Sequence, residues 1–444
     1  MSKSAALYDR ALNLMPGGCS RNTVLRKPHP LYAAKGLGCR VTDVDGISRL
    51  DFANNMASLI HGHTHPAITE AVTRQLSLGT AFTLATEAEL EYAEHLLRRN
   101  PDFEQIRFVN SGTEAVMSCL KAARAYTGRP KIAKVEGAYH GLYDYAEVSQ
   151  TASPANWGER SRPASVPVAS GTPKSALDDV VVIPFNDLPT AMEILTEHQH
   201  EIACILVDLL PHRVGLIPAD DEFIQGLRTW CDQHAALLVF DEVITFRGNI
   251  GGAQQNYSAV PDLTAMGKMI GGGFPVGALA GRREVMQVMN PLSSQMKFPH
   301  SGTFSANPVT MIAGKTAMEL YDAQAVKRLN AMNASLMEQI NQAISLADIP
   351  ACVSGGGSMF RIHLKPELPS NYRETYSGAG ETRIRGLLLD HMFDNGIMMI
   401  NTCSGTLSTA MSHNELDQFC DVLLQGFIKI KPQLDNPGKE YPNV

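Results

Sequence analysis

The feature that most constrains the fold of this chain is a rhythm between residues 106 and 280. Short apolar runs recur at Ile106–Val109, Lys131–Val135, Val180–Ile183, Ile202–Val207, Leu237–Phe240 and Val276–Ala280, with stretches of helical character between them. Runs of this length without polar alternation suit strands buried on both faces. Strands spaced by helices pair in parallel through right-handed crossovers. An α/β fold is expected, with a mostly parallel sheet covered by helices on both sides.

The flanks break this rhythm. A short helix over residues 5–15 is stopped by Pro16-Gly17-Gly18, and a strand-rich stretch with a turn at Asp43–Gly46 follows. After about residue 305 the pattern turns helical (Pro308–Tyr321, Ala325–Ile344). Short strands come around Met359–Leu364 and Ile397–Ile400, and a last helix near Glu415–Phe427. These parts predict a smaller α+β domain. Ser149–Leu177, rich in Ser, Pro, Ala and Gly, reads as a long surface loop. A division into 1–65, 66–304 and 305–444 is expected, the first segment joining the last in the small domain.

Bulk properties exclude several classes. A formal net charge of −7 leaves no electrostatic footprint for nucleic acid. The eight cysteines include no C-x-x-C pair, which suits reduced thiols better than a disulfide frame or a zinc site. The first ten residues lack the apolar core of a signal peptide, and no uncharged apolar run is long enough to span a bilayer. A cytoplasmic enzyme with small-molecule substrates is expected, without nucleic-acid or membrane partners.

In an open α/β sheet, ligands sit where loops leave the carboxyl ends of strands. Four segments place polar residues there. In Asn110-Ser111-Gly112-Thr113-Glu114-Ala115, the N–H groups opening the next helix, with the Ser111 and Thr113 hydroxyls, would cradle a phosphate; Gly112 would admit it closely. A plain helix cap reads the same way. In Ala138-Tyr139-His140-Gly141 the aromatic ring suits stacking on a planar ligand, or simple packing. Asp241 ends an apolar strand in Phe240-Asp241-Glu242-Val243, where a buried carboxylate needs a partner: a protonated pyridine nitrogen or a structural cation. Val243 could pack on the ring face. Lys268 stands in a Gly-rich turn before Gly271-Gly272-Gly273. A lysine and an acid so placed are what pyridoxal phosphate chemistry needs: a Schiff-base amine, and a partner for the ring nitrogen.

Together, N-S-G-T-E-A, Y-H-G, F-D-E-V and M-G-K-x-I-G-G-G-F-P-V-G-A resemble the class III aminotransferases of the fold-type I pyridoxal phosphate enzymes. The resemblance runs from Pro16 to about residue 415. It implies a seven-stranded, mostly parallel sheet and a small domain formed by both chain ends. It further implies pyridoxal 5'-phosphate held by Ser111, Gly112, Thr113, Tyr139, His140, Asp208, Asp241, Val243 and Lys268. His300-Ser-Gly-Thr303-Phe-Ser-Ala-Asn-Pro308 is a fifth match, by which Thr303 would reach the cofactor phosphate of a neighbouring subunit in a homodimer.

Within that family the chain is most similar to glutamate-1-semialdehyde aminomutase and the β-amino-acid aminotransferases. Pro16-Gly-Gly-Cys-Ser-Arg21 resembles the latter, in which the matching arginine binds the substrate carboxylate; a solvated loop charge is the other reading of Arg21. Two departures follow. Asp208-Leu209 stands where the family has Glu-Pro, with Pro211-His212-Arg213 after it, so that Arg213 either adds a carboxylate contact or faces solvent. Asn401-Thr402-Cys403-Ser404 stands where the β-amino-acid enzymes carry a late arginine for the 2-oxo acid. The expected reaction moves an amino group from an amino acid, a β-amino acid favoured, or an amine to a 2-oxo acid. It would proceed through a Lys268 Schiff base and pyridoxamine phosphate, with Asp241 stabilising charge in the ring. An intramolecular aminomutase and an epimerase use the same residues, and a catalytically silent binding protein is a rival from another class. His61-Gly-His63-Thr-His65 would share one face of a strand and so suggest a metal, but the aminomutase family has a similar turn without one, and no metal is expected.

Overall fold

The structure, a computed structural model, describes residues 2–435. Its strands, in chain order, are β1 Ala33–Leu37, β2 Arg40–Asp43, β3 Ser48–Asp51, β4 Gln105–Val109, β5 Lys131–Val135, β6 Gly158–Glu159, β7 Arg162–Pro163 and β8 Val180–Ile183. They continue with β9 Ile202–Val207, β10 Leu237–Asp241, β11 Leu263–Gly267, β12 Gly277–Gly281, β13 Cys352–Gly356, β14 Met359–His363, β15 Ile397–Met398 and β16 Ser404–Thr406.

The central sheet has seven strands in the order β4-β12-β11-β10-β9-β5-β8. Every residue of β8, β9, β10, β11 and β12 is buried, which is why these runs show no polar alternation. The strands run parallel except β12, which is antiparallel to both neighbours. Only Lys268–Val276 joins β11 to β12, a span shorter than a parallel crossover requires. β11 itself had no counterpart among the apolar runs, because Leu263-Thr-Ala-Met-Gly is only weakly apolar.

Both chain ends meet in a second sheet, β1-β2-β3-β15, where β15 lies parallel to β3. A third sheet, β13-β14-β16, is antiparallel. The helices Ala323–Ala347 and His413–Asp435 pack on each other beside it. Phe52, Phe360 and Phe419, all fully buried, lock the early and late segments together, with Phe419 at 4.6 Å from Phe52 and 5.3 Å from Phe360 between ring centroids. Burying each ring stabilises by about 1.5–3 kcal/mol.

Three local expectations need correction. The first helix spans Lys3–Leu12, capped by the Ser2 hydroxyl, and Pro16–Gly18 form a separate turn with Gly17 at φ 64°. The helix expected to open after the segment Asn110–Ala115 begins within it, at Gly112, because Ser111 already caps it. The segment 149–177 is not a free loop. It carries the β6–β7 hairpin and a helix at Lys174–Asp178, and the Arg373 guanidinium donates to the Trp157, Gly158 and Glu159 carbonyls. Among the described residues no helix is long and apolar enough to cross a membrane.

Candidate active site

Loops at the carboxyl ends of β4, β5, β9, β10 and β11 open into one cavity of about 830 Å³, within the range of small-molecule sites. Ser111, Gly112, Thr113, Tyr139, His140, Asp208, Arg213, Asp241, Val243 and Lys268 all line it. Thus ten residues singled out in sequence, scattered over five strand ends, converge.

One end of the cavity is the start of the helix Gly112–Thr127. The Ser111 hydroxyl accepts from the Glu114 N–H at 3.1 Å, and the Glu114 carboxylate accepts from the Asn110 N–H at 2.7 Å. The Ser111 oxygen is thus used as the cap, and a helix leaves its first N–H groups, here Gly112 and Thr113, without an internal acceptor. Gly112 is required for a reason other than anion approach, since a Cβ there would lie 2.7 Å from Val243 Cγ1. Gly141, at φ +95°, lies against Thr113, where a Cβ would sit 2.5 Å from Oγ1.

Asp241 forms the floor at the end of β10. Its Oδ1 accepts from the Val243 N–H at 3.0 Å, and its Oδ2 lies 2.7 Å from His140 Nδ1, with both side chains buried. A carboxylate on Nδ1 assigns the proton to that nitrogen. Burial lowers the His140 pKa against the pull of Asp241, which favours the neutral ring. His140 was expected to bind the cofactor; its placed role is to donate to the acid, and its buried Nε2 has no partner. Asp208, buried and accepting from the Leu210 N–H at 2.9 Å, is driven well above the carboxylate range by burial and then by Asp241. That shift favours its neutral form more than in an exposed carboxyl. Burial lowers the Lys268 pKa, while Asp241 and Asp208 oppose the shift. The Lys268 backbone is left-handed at φ +50°, a cost of about 1–2 kcal/mol for a residue with a side chain.

These residues fit a phosphorylated pyridine aldehyde. The helix start would suit a dianion, Asp241 is held from two sides where it could meet a ring N–H, and the Lys268 amine could serve as nucleophile. The outer wall is different. Arg213 lies 5.2 Å from the Tyr139 ring centroid and donates to the Gln150 carbonyl at 3.1 Å. Burial, then Arg361, Lys268 and Arg213, pushes the His212 pKa down to about 3. Its neutral ring pairs with Thr402 Oγ1 at 3.1 Å.

Arg21 and Thr303 stand apart. Arg21 is exposed and donates to Asn55 Oδ1 at 2.8 Å; its neighbours Thr23 and Met56 line the cavity and it does not. Thr303 lies exposed in a turn outside the cavity. The three histidines do not form a strand face, because Gly62 (φ +70°) and Thr64 (φ +52°) turn the chain. His61 contacts Thr409 Oγ1 and the Ala317 carbonyl, and His63 pairs with Asp51 at 2.8 Å. Among the described residues no group of three or more His, Cys, Asp or Glu is placed to hold a metal.

A family model, Aminotransferase class-III, matches residues 23–429. The chain belongs to this family. Its members use pyridoxal phosphate, and the chain is a pyridoxal phosphate-dependent enzyme of fold type I. It is 39% identical over 371 residues to a glutamate-1-semialdehyde 2,1-aminomutase of Methanothermobacter thermautotrophicus, covering 83% of this chain and 86% of the relative. The structure of an omega-transaminase from Sphaerobacter thermophilus superposes with a TM-score of 0.94 at 45% identity, covering 97% of this chain and 98% of the other. A β-phenylalanine aminotransferase from Variovorax paradoxus superposes at 0.85 with 31% identity, covering 95% and 93%.

Several site residues had no place in the sequence reading. Glu242 is fully buried and accepts from the Ala253 and Gln254 N–H groups and the Thr245 hydroxyl, so it fixes the loop behind Asp241; burial raises its pKa to about 7. Asn54–Ala57 form one left-handed turn with four consecutive positive φ angles, and it carries Met56 into the cavity. The Asn-Asn pair, tolerant of that conformation, was the available signal. Gln150–Ala152, Arg361, Tyr372, Tyr376 and Arg385 also line the cavity. Arg361 was visible as a lone charge inside the apolar run Met359–Leu364.

Proposed function

We propose that the chain is an aminotransferase that moves an amino group from a β-amino acid, another amino acid or an amine to a 2-oxo acid. The observation that carries this reading is the likeness to the omega-transaminase, at 45% identity over nearly the whole of both chains; the β-phenylalanine enzyme favours a β-amino donor. Bound pyridoxal phosphate supplies a carbonyl that captures amines and a ring that absorbs the electrons released at the substrate carbon. Lys268 would anchor the cofactor, and its amine would move the proton to and from the substrate carbon at Nζ. Burial keeps that amine easier to deprotonate than a free lysine. Asp241, oriented by His140 and Val243, would hold the ring N–H, and Asp208 would face the ring oxygen. Arg213 is the cavity's contact for a substrate carboxylate, and Arg21 at the rim is a second.

The active unit is proposed to be a homodimer in which Thr303 faces the neighbour's phosphate site. Large exposed apolar side chains at Leu78, Phe82, Leu84, Leu292 and Phe304 support a subunit contact in these segments. A second reading, intramolecular aminomutation, is favoured by the 39% identical relative.

Mixing cofactor-loaded protein with single donors and no acceptor separates the two. Stoichiometric bleaching of the yellow cofactor, with release of one oxo product, is the transaminase outcome. Isomerisation of a γ-amino aldehyde acid without acceptor, and no bleaching by any donor, would overturn it.

A further inference from the structure

Two buried arginines, Arg247 and Arg99, are well satisfied. Arg247 places Nε on Ser358 Oγ and its terminal nitrogens on the Ala57 and Leu407 carbonyls. Arg99 places Nε and both terminal nitrogens on the Ile250, Met318 and Tyr321 carbonyls. Arg361 differs. It is 6% exposed on β14, lines the cavity and donates once, to the His212 carbonyl at 3.0 Å, while its buried Nε has no partner. Arg385 lines the same wall and donates to the neutral Ser377 hydroxyl at 2.8 Å. Two guanidiniums whose fields reach each other are unfavourable unless something anionic lies between them. The acid whose charge also reaches Arg361, Glu381, is already engaged by Lys365 at 2.9 Å and by Ser377. Among the described residues the only carboxylates lining the cavity are Asp208 and Asp241, at its floor.

We propose that Arg361 and Arg385 form an anion subsite that takes the second carboxylate of a dicarboxylic amino-acid or oxo-acid substrate. A planar guanidinium that donates only once among the described residues suits bidentate capture of a carboxylate. The pair lies in the outer cavity with His212, which feels both Arg361 and Lys268, so the subsite and the reacting amine belong to one chamber. The inference rests on the amino-transfer reading and adds the substrate class.

The test compares 2-oxoglutarate with pyruvate as acceptors for wild type, Arg361→Gln and Arg385→Gln, and titrates the unreactive diacid glutarate against butyrate by calorimetry on the cofactor-loaded enzyme. The ratio of kcat/KM for the dicarboxylic over the monocarboxylic acceptor is expected to fall at least 30-fold in each variant. Glutarate should bind wild type at least tenfold tighter than butyrate and lose that preference in Arg385→Gln. Arg385 is only partly buried, so its variant keeps the test open should Arg361→Gln unfold. An unchanged ratio, or equal binding of the two acids by wild type, overturns the subsite. Transfer to pyruvate alone would leave the aminotransferase reading standing. Absence of transfer to any acceptor would remove that reading, while glutarate binding still decides the subsite.

Discussion

Replacing His140 by phenylalanine isolates the contribution of the acid's orientation. The imidazole donates to Asp241 Oδ2 at 2.7 Å from a fully enclosed position, and the Val243 N–H holds Oδ1 at 3.0 Å. Phenylalanine keeps the ring volume and removes one of these two donors. A hydrogen bond to a charged group contributes about 1.5–3 kcal/mol. At 1.36 kcal/mol per tenfold in rate, the half-reaction with a saturating amino donor should slow by about 10- to 150-fold. Stopped-flow bleaching of the bound cofactor measures this directly, without the acceptor. Cofactor affinity, followed by fluorescence, should weaken less, because Asp241 keeps its second anchor. His140→Gln, which retains an N–H donor, should recover part of the rate. A half-reaction within twofold of wild type in well-folded His140→Phe would refute the idea that His140 acts through Asp241.

Three further perturbations follow from the same geometry. Lys268→Ala should abolish multiple-turnover amino transfer, and wild-type-like turnover would remove the lysine from the mechanism. Gly141→Ala meets Thr113 Oγ1 at 2.5 Å with φ +95°, so cofactor affinity should fall at least tenfold, whereas Gly380→Ala, which meets nothing within 4 Å, should leave it unaltered; equal affinity in both variants counts against a Thr113 cradle. Lys134, fully buried with its ammonium on the Val135, Ala138 and Val148 carbonyls, has its pKa pushed down to about 7 by burial and Arg213, against Glu136. Between pH 7 and about 10.5 the unfolded chain then binds more protons, so this lysine makes stability rise with pH in that window. Urea midpoints at pH 6.5 and 9.5 should show wild type gaining on Lys134→Met, and a constant difference would contradict the shift.

The central sheet was legible because its burial on both faces leaves uninterrupted apolar runs, and the inner site was legible because strand ends are where such sheets bind ligands. Ser111 and Asp241 lie at such ends, within a few residues of an apolar run, whereas Lys268 was legible from its Gly-rich turn. β11 escaped because Leu263-Thr-Ala-Met-Gly is weakly apolar, and the reversal of β12 was readable only from the shortness of its connection. Arg361 and Arg385 escaped for a different reason. They come from β14 and the helix Ala379–Asp394, more than ninety positions beyond Lys268, and only folding brings them to its cavity.

The distribution of charge along that cavity explains why its parts belong together. The helix start at Gly112 takes negative charge, the floor at Asp208 and Asp241 is acidic, and the outer wall carries Arg213, Arg361 and Arg385. Asp208 and Asp241 oppose the lowering of the Lys268 pKa, whereas burial drives it down. A cationic amine entering the cavity is drawn to the acidic floor, and its carboxylate is drawn to the arginine wall. Amine and carboxylate on one substrate are thus sorted to opposite sides by field alone, before any bond is made. An amine without a carboxylate lacks the second attraction. Its kcat/KM should therefore depend less on ionic strength than that of an amino acid, and equal salt dependence would mean that the wall does not sort the substrate.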